Sequence, residues 1–148
     1  MKYQSTKTYG NDRGFSCAFR QPFADSHCKF IHGYLLYVKF WFECNELDKN
    51  NWVVDFGSFK KLKDSLENKF DHKTCISADD PELNTFRELD KNNLIRLEIF
   101  ENGVGIEKFA EYCYDVANKY IRNITNERCW VVKCELWEHK NNSAIVSR

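Results

Sequence analysis

The chain carries no surplus of charge. Its 22 basic and 22 acidic residues cancel to a formal net charge of zero, which removes any general electrostatic pull toward nucleic acid or an anionic membrane. No run of about 18 apolar residues occurs, so no membrane-spanning helix is expected. Residues Met1 to Lys7 lack the apolar stretch of a secretory signal. The seven cysteines, at 17, 28, 44, 75, 113, 129 and 134, include no CxxC pair and no zinc-finger spacing. An odd number at scattered spacing, without an export signal, reads as free thiols in a reducing cytoplasm. No internal repeat and no low-complexity tract is present.

What remains is material for one core. The chain has 148 residues, the length of one ordinary domain spanning 1–148, and 43% of them are hydrophobic. Aromatics make up 16%, and with zero net charge that composition suits an oligomer that buries surface. Residues 14–20 alternate as a strand with Phe15, Cys17 and Phe19 on one face. A loop is expected over 21–31, marked by Pro22 and Asp25-Ser26. A long strand follows over 32–44, with His32, Tyr34, Leu36, Val38, Phe40 and Phe42 on one face. After a turn at 48–51, Trp52-Val53-Val54 reads as a short extended return.

The spacing of Phe59, Leu62, Leu66 and Phe70 predicts a helix over 57–70, capped by Asp55 or Ser58. Asp79-Asp80-Pro81 marks a loop, and 94–100 a short strand. A second helix is expected over 106–121. A strand over 129–138 places Trp130, Val132, Cys134, Leu136 and Glu138 on one face, and 143–146 pairs back through a turn at Asn141-Asn142. The expected class is α+β: an antiparallel four-stranded sheet with two helices on one face, in the order ββααββ.

Six landmarks carry a family resemblance. They are Phe15-Ser16-Cys17-Ala18-Phe19; Cys28, three residues, then His32-Gly33-Tyr34; Val54-Asp55-Phe56-Gly57; Phe70-Asp71-His72; Val104-Gly105-Ile106-Glu107; and Glu138-His139. In this order and at these separations the chain resembles the 6-pyruvoyltetrahydropterin synthase and 6-carboxytetrahydropterin synthase family, from Phe15 to Val146. The resemblance implies the tunnelling fold, with hairpins joined side by side into a barrel and sites where subunits meet. A homo-oligomer, most simply a hexamer of two stacked trimers, is therefore expected. It also implies a lyase acting on 7,8-dihydroneopterin triphosphate with zinc held by three histidines.

Residue by residue, the resemblance makes Cys28, Asp71 and His72 the proton-transfer group and Glu138 the anchor for the pterin's guanidine-like edge. Glu107 is a second substrate-binding candidate, although an acid in a helix's first turn needs no further reason. His72 can equally be a cation that suits the end of a helix, and Glu138 a strand-end carboxylate in water. Of the three zinc positions only His32 is a histidine; the other two are Phe19 and Tyr34. A catalytic zinc needs three firm protein ligands and an open position, so zinc is expected to be absent or weakly held. Cys17 is the possible substitute, through a site with Cys28 and His32; the plainer reading makes it a small core residue.

The aromatic strand 34–42 lacks interleaved basic residues and reads as core and interface rather than as a base-stacking platform. Three functions stay open: a pterin synthase-like enzyme with altered chemistry, a non-catalytic heterocycle-binding or scaffold homologue, and a metal-free acid–base enzyme of the wider fold, as in dihydroneopterin aldolase.

Overall fold

The computed structural model describes every residue from Met1 to Arg148. Two strands, β1 (Tyr3–Tyr9) and β2 (Phe15–Phe19), lie end to end along one edge of β3 (His32–Cys44). Tyr9 faces Val38 and Phe15 faces Leu36, so five residues bulge out between them. Gly10 and Gly14 bound that bulge with positive φ, and a side chain at Gly14 would collide with Leu35. Only glycine fits such a position without strain.

The other edge of β3 takes β6 (Cys129–His139), which pairs in turn with β7 (Asn142–Ser147). These are the antiparallel strands that the alternating pattern predicts. The four-stranded ββααββ arrangement is nevertheless too small. Three further strands and one further helix complete a seven-stranded mixed sheet with three helices.

After α1 (Lys60–Phe70), strand β4 (Lys73–Ser77) runs parallel to β2. Helix α2 (Leu83–Lys91) then leads to β5 (Leu97–Phe100), parallel to β4. β5 is the short strand expected over 94–100. β4 follows the helix after only two residues, and α2 buries just Phe86, so neither leaves a strong periodic signal. Trp52-Val53-Val54 forms no strand, although Val53 and Val54 are buried.

Core packing follows the expected faces in β2 and β3. Leu36, Val38, Phe40 and Phe42 are at most 1% exposed, whereas Leu35 on the opposite face is 57% exposed. Burying each of these large side chains contributes about 1.5–3 kcal/mol. α1 starts at Lys60, because Asp55 caps a separate short turn, Phe56–Ser58, by accepting the Gly57 N–H at 2.8 Å. α3 (Ile106–Ile124) buries Phe109, Ala110, Cys113, Tyr114, Ala117 and Ile121 against the sheet. No helix is long and apolar enough to cross a membrane.

One face assignment changes in β6. The register slips between Trp41 and Phe42, so Val131 rather than Val132 faces Phe42. Trp130 and Val132 therefore leave the inner face, while Cys134 and Leu136 keep it. A single extra residue reverses every side chain beyond it.

The parallel extension is locked to the rest by one ion pair. Arg20 donates from Nε and Nη2 to the two Asp80 oxygens at 2.8 and 2.6 Å, and its guanidinium lies over Phe86 of α2. Asp80 also accepts the Glu82 N–H at 2.8 Å, just before α2 begins. The Arg20 hydrogen bond, foremost, holds the Asp80 carboxyl below the usual carboxylate range. Because the folded state lowers this pKa, its contribution is complete above the unfolded value of about 4 and is lost as pH falls through the folded value. Arg20→Ala strands a carboxylate whose side chain is 1% exposed, and a loss of about 3–5 kcal/mol is expected in urea unfolding at pH 7. That loss should shrink as the pH drops below about 4; a difference independent of pH would show that the pair is not the cause.

Candidate functional site

The site is assembled where β2 ends and β3 begins. Phe19 and His32 are register partners, as are Cys17 and Tyr34. The two-residue period of a strand therefore places Phe19, His32 and Tyr34 on one face. Their rings form a cluster: Phe19 to His32 5.0 Å, His32 to Tyr34 5.4 Å and Phe19 to Tyr34 6.0 Å between centroids. His139 closes on Tyr34 at 6.0 Å, and Phe19 sits edge-on to Phe109 at 5.2 Å.

This cluster does not suit zinc. It offers one phenyl, one phenol and one imidazole; His32 Nδ1 is held on the Phe30 carbonyl at 2.7 Å, so Nε2 is the only firm ligand atom in the cluster. Cys17 does not repair it. Its thiol is buried and donates to Cys75 Sγ at 3.5 Å, inside the core. That hydrogen bond and burial push the Cys75 thiol far up. No group of three or more His, Cys, Asp or Glu side chains is placed to hold a metal ion.

Cys28 lies in a short turn, His27–Lys29, that Ser26 caps. The loop is tied down on both sides. Gln21 N–H donates to the Cys28 carbonyl at 2.8 Å, and the Gln21 side chain donates to the Val104 carbonyl at 2.8 Å, beside the start of α3. Arg20 reaches the Lys29 carbonyl at 3.2 Å. The ion pair that locks α2 thus also fixes the turn carrying the thiol. Nothing in the residue pattern announces Arg20, Gln21 or Asp80; the only signal is the Asp79-Asp80-Pro81 loop, whose acid turns out to be buried.

Asp71 and His72 follow α1 directly. Asp71 accepts the Ser16 N–H at 2.9 Å and meets His72 Nδ1 at 3.1 Å; the His72 N–H donates to the Ser16 carbonyl at 2.7 Å. His72 adopts a positive φ of 58° to make that turn onto β2, and its ring is 75% exposed. Within one chain no hydrogen bond or ion pair joins this pair to Cys28.

Glu138 ends β6 half-buried, its side chain 16% exposed. Oε1 accepts from Asn142 Nδ2 at 2.9 Å and lies 3.9 Å from His139 Nε2. Oε2 has no partner in the chain. Burial first, then the charges of Glu138 and Cys28, raise the Tyr34 phenol above its ordinary value. Glu107 is exposed in the first turn of α3 and lies outside this grouping.

A cleft of about 870 Å³ crosses these strands. Tyr34, Glu138 and His139 line one end, Ser16 to Ala18 and Gly33 the middle, and His72, Lys73 and Arg96 the other. From β6 to β4 there are three strand spacings, about 14 Å.

The family model of 6-pyruvoyl tetrahydropterin synthase matches residues 10–148. The chain belongs to the 6-pyruvoyl tetrahydropterin synthase family. Among solved structures, an uncharacterized protein from Wolinella succinogenes superposes with a TM-score of 0.83 at 18% identity, covering 100% of this chain and 99% of that one. A catalytic-residue mutant of Plasmodium vivax 6-pyruvoyltetrahydropterin synthase gives 0.73 at 14% identity, covering 100% and 98%. The Caenorhabditis elegans 6-pyruvoyl tetrahydropterin synthase gives 0.62 at 17% identity, covering 100% and 95%. At such identities the likeness shows the fold. No curated protein sequence matches the chain.

The cysteines separate cleanly within this frame. Cys17, 44, 75, 113, 129 and 134 are buried, and only Cys28 is partly exposed. A thiol reagent applied to the native protein should label one cysteine per chain rapidly, the rest reacting only on unfolding. Mass spectrometry should place the label on Cys28, and Cys28→Ser should abolish it. Fast labelling at any other cysteine would contradict this arrangement.

Proposed function

We propose that this pterin synthase-like protein binds a pterin, of the 7,8-dihydroneopterin triphosphate class, at the Tyr34–Glu138 end of the cleft, and does so without zinc. The observation that carries the reading is Glu138. It is a half-buried carboxylate at the cleft end with one oxygen committed to Asn142 and the other unpartnered. A buried carboxylate is costly unless it is paired, and the amino and ring N–H groups of a pterin present a matched pair of donors. Cys28, beside Tyr34, is the proton-transfer group in this reading.

Asp71 and His72 complete that group from a second copy of the chain, since one chain leaves them apart from Cys28. The free edges of the antiparallel strands, β1 and β7, support such a homo-oligomer, a hexamer in the family pattern. Glu107, exposed at the start of α3, is a second substrate-binding group in this reading. The scaffold reading is favoured by one observation only, the loss of two of the three zinc-ligand positions to Phe19 and Tyr34.

Glu138→Gln keeps the shape, removes the charge and adds a competing donor. Losing a charged hydrogen-bond partner costs about 1.5–3 kcal/mol, so calorimetry with neopterin should show affinity lower by roughly ten- to hundredfold. Equal affinity for native and variant protein would remove Glu138 from the site. Binding without turnover of the triphosphate by the metal-free protein would favour the scaffold reading.

Zinc should be absent in stoichiometric amount after mild chelation, as read by elemental analysis. Phe19→His combined with Tyr34→His places three imidazoles on one face of the β2–β3 pair and should raise the content toward one zinc per chain. Tightly held zinc in the native protein would refute the metal-free reading.

A further inference from the structure

We propose that the Tyr34 hydroxyl recognises a ligand oxygen, at the end of the heterocycle opposite the edge that Glu138 holds. The inference rests on the pterin reading above and adds a residue that no metal-ligand pattern assigns a role. Around the ring cluster, Phe19 has no polar atom, Cys17 donates to Cys75, and His32 holds the Phe30 carbonyl through Nδ1, leaving Nε2 without a hydrogen bond in the chain. Tyr34 adds a hydroxyl to this short set of free polar atoms. Its ring is fixed by Phe19, His32 and His139, while its hydroxyl makes no hydrogen bond within the chain and the residue lines the cleft.

The placement suits a two-ring ligand. Tyr34 and Glu138 line the same end of the cleft from adjacent strands, and His139, next to Glu138, packs on the Tyr34 ring at 6.0 Å. Neighbouring strands lie about 4.8 Å apart, so one small bicyclic ligand at this end can meet both side chains. With the donor edge on Glu138, the substituent at the far end reaches Tyr34. A neutral phenol can donate one hydrogen bond and accept another, so the ligand feature read there is a hydroxyl or keto oxygen on that substituent. The clamped ring means that little rotamer freedom is lost when the bond forms.

The test compares two ligands on two proteins by calorimetry. Neopterin carries hydroxyls on its side chain; 6-methylpterin is the same bicycle without them. Tyr34→Phe should weaken neopterin binding by about three- to tenfold, the range of one neutral hydrogen bond. It should leave 6-methylpterin unchanged, which also shows that the variant is folded with an intact heterocycle site. An equal loss for both ligands, or no loss for neopterin, overturns the assignment while the pterin reading stands. Failure of the native protein to bind either ligand overturns both.

Discussion

Strand β3 is the constraint on which the rest depends. It is hydrogen-bonded to β1 and β2 along one edge, and its residues 37–44 pair with β6 along the other. Two edges satisfied at once leave it no freedom to slip, because a shift of one residue would send Leu36, Val38, Phe40 and Phe42 to the wrong face. The same register sets the site. With Leu36 inward, Tyr34 and His32 must follow on that face, and β2 brings Phe19 and Cys17 opposite them. Core packing and site geometry are thus one specification, written in the period of a single strand.

Most of β2, β3, α1, α3, β6 and β7 was legible, because each carries a strong apolar period. What escaped shows the limits of that signal. β1 reads Tyr-Gln-Ser-Thr-Lys-Thr-Tyr, mostly polar, and is a strand because β3 presents an unpaired edge to it. β4 is short, and α2 is amphipathic around a single buried phenylalanine; β5 was legible as a short strand over 94–100 but not in its parallel place beside β4, and the docking of this extension rests on Arg20 and Asp80, 60 residues apart. The inner face of β6 was misread at Trp130 and Val132 because a bulge leaves no local mark. Tertiary pairing, not local preference, decided each of these.

The candidate site was legible in its residues more than in its arrangement. Cys28, Asp71-His72 and Glu138 are candidates from their motifs, yet motifs say nothing of how the chain arranges them. Tyr34 and Glu138 line one end of the cleft and His72 the other, with Asp71 and His72 bonded to the β2 backbone at Ser16. Tyr34 looked like a lost ligand when only donor atoms were counted. Its surroundings fix the ring and leave its hydroxyl, like His32 Nε2, without a hydrogen bond in the chain.

Phenylalanine at 19, where the family resemblance implies an imidazole, bears on packing as well as on metal binding. Phe19 is 4% exposed and packs on Phe109, which in turn meets Phe70 at 5.2 Å and Phe100 at 4.9 Å. The floor of the site is therefore continuous with the hydrophobic core. A histidine at 19 would bring a polar ring against Phe109 and need a partner there, a need that a bound cation could meet. With phenylalanine the need disappears, and the burial itself stabilises by roughly 1.5–3 kcal/mol. The electrostatics follow from that exchange. On the proposed reading, the site works by hydrogen bonding and proton transfer through Tyr34, Cys28 and Glu138, at one end of a cleft whose other end carries Lys73 and Arg96.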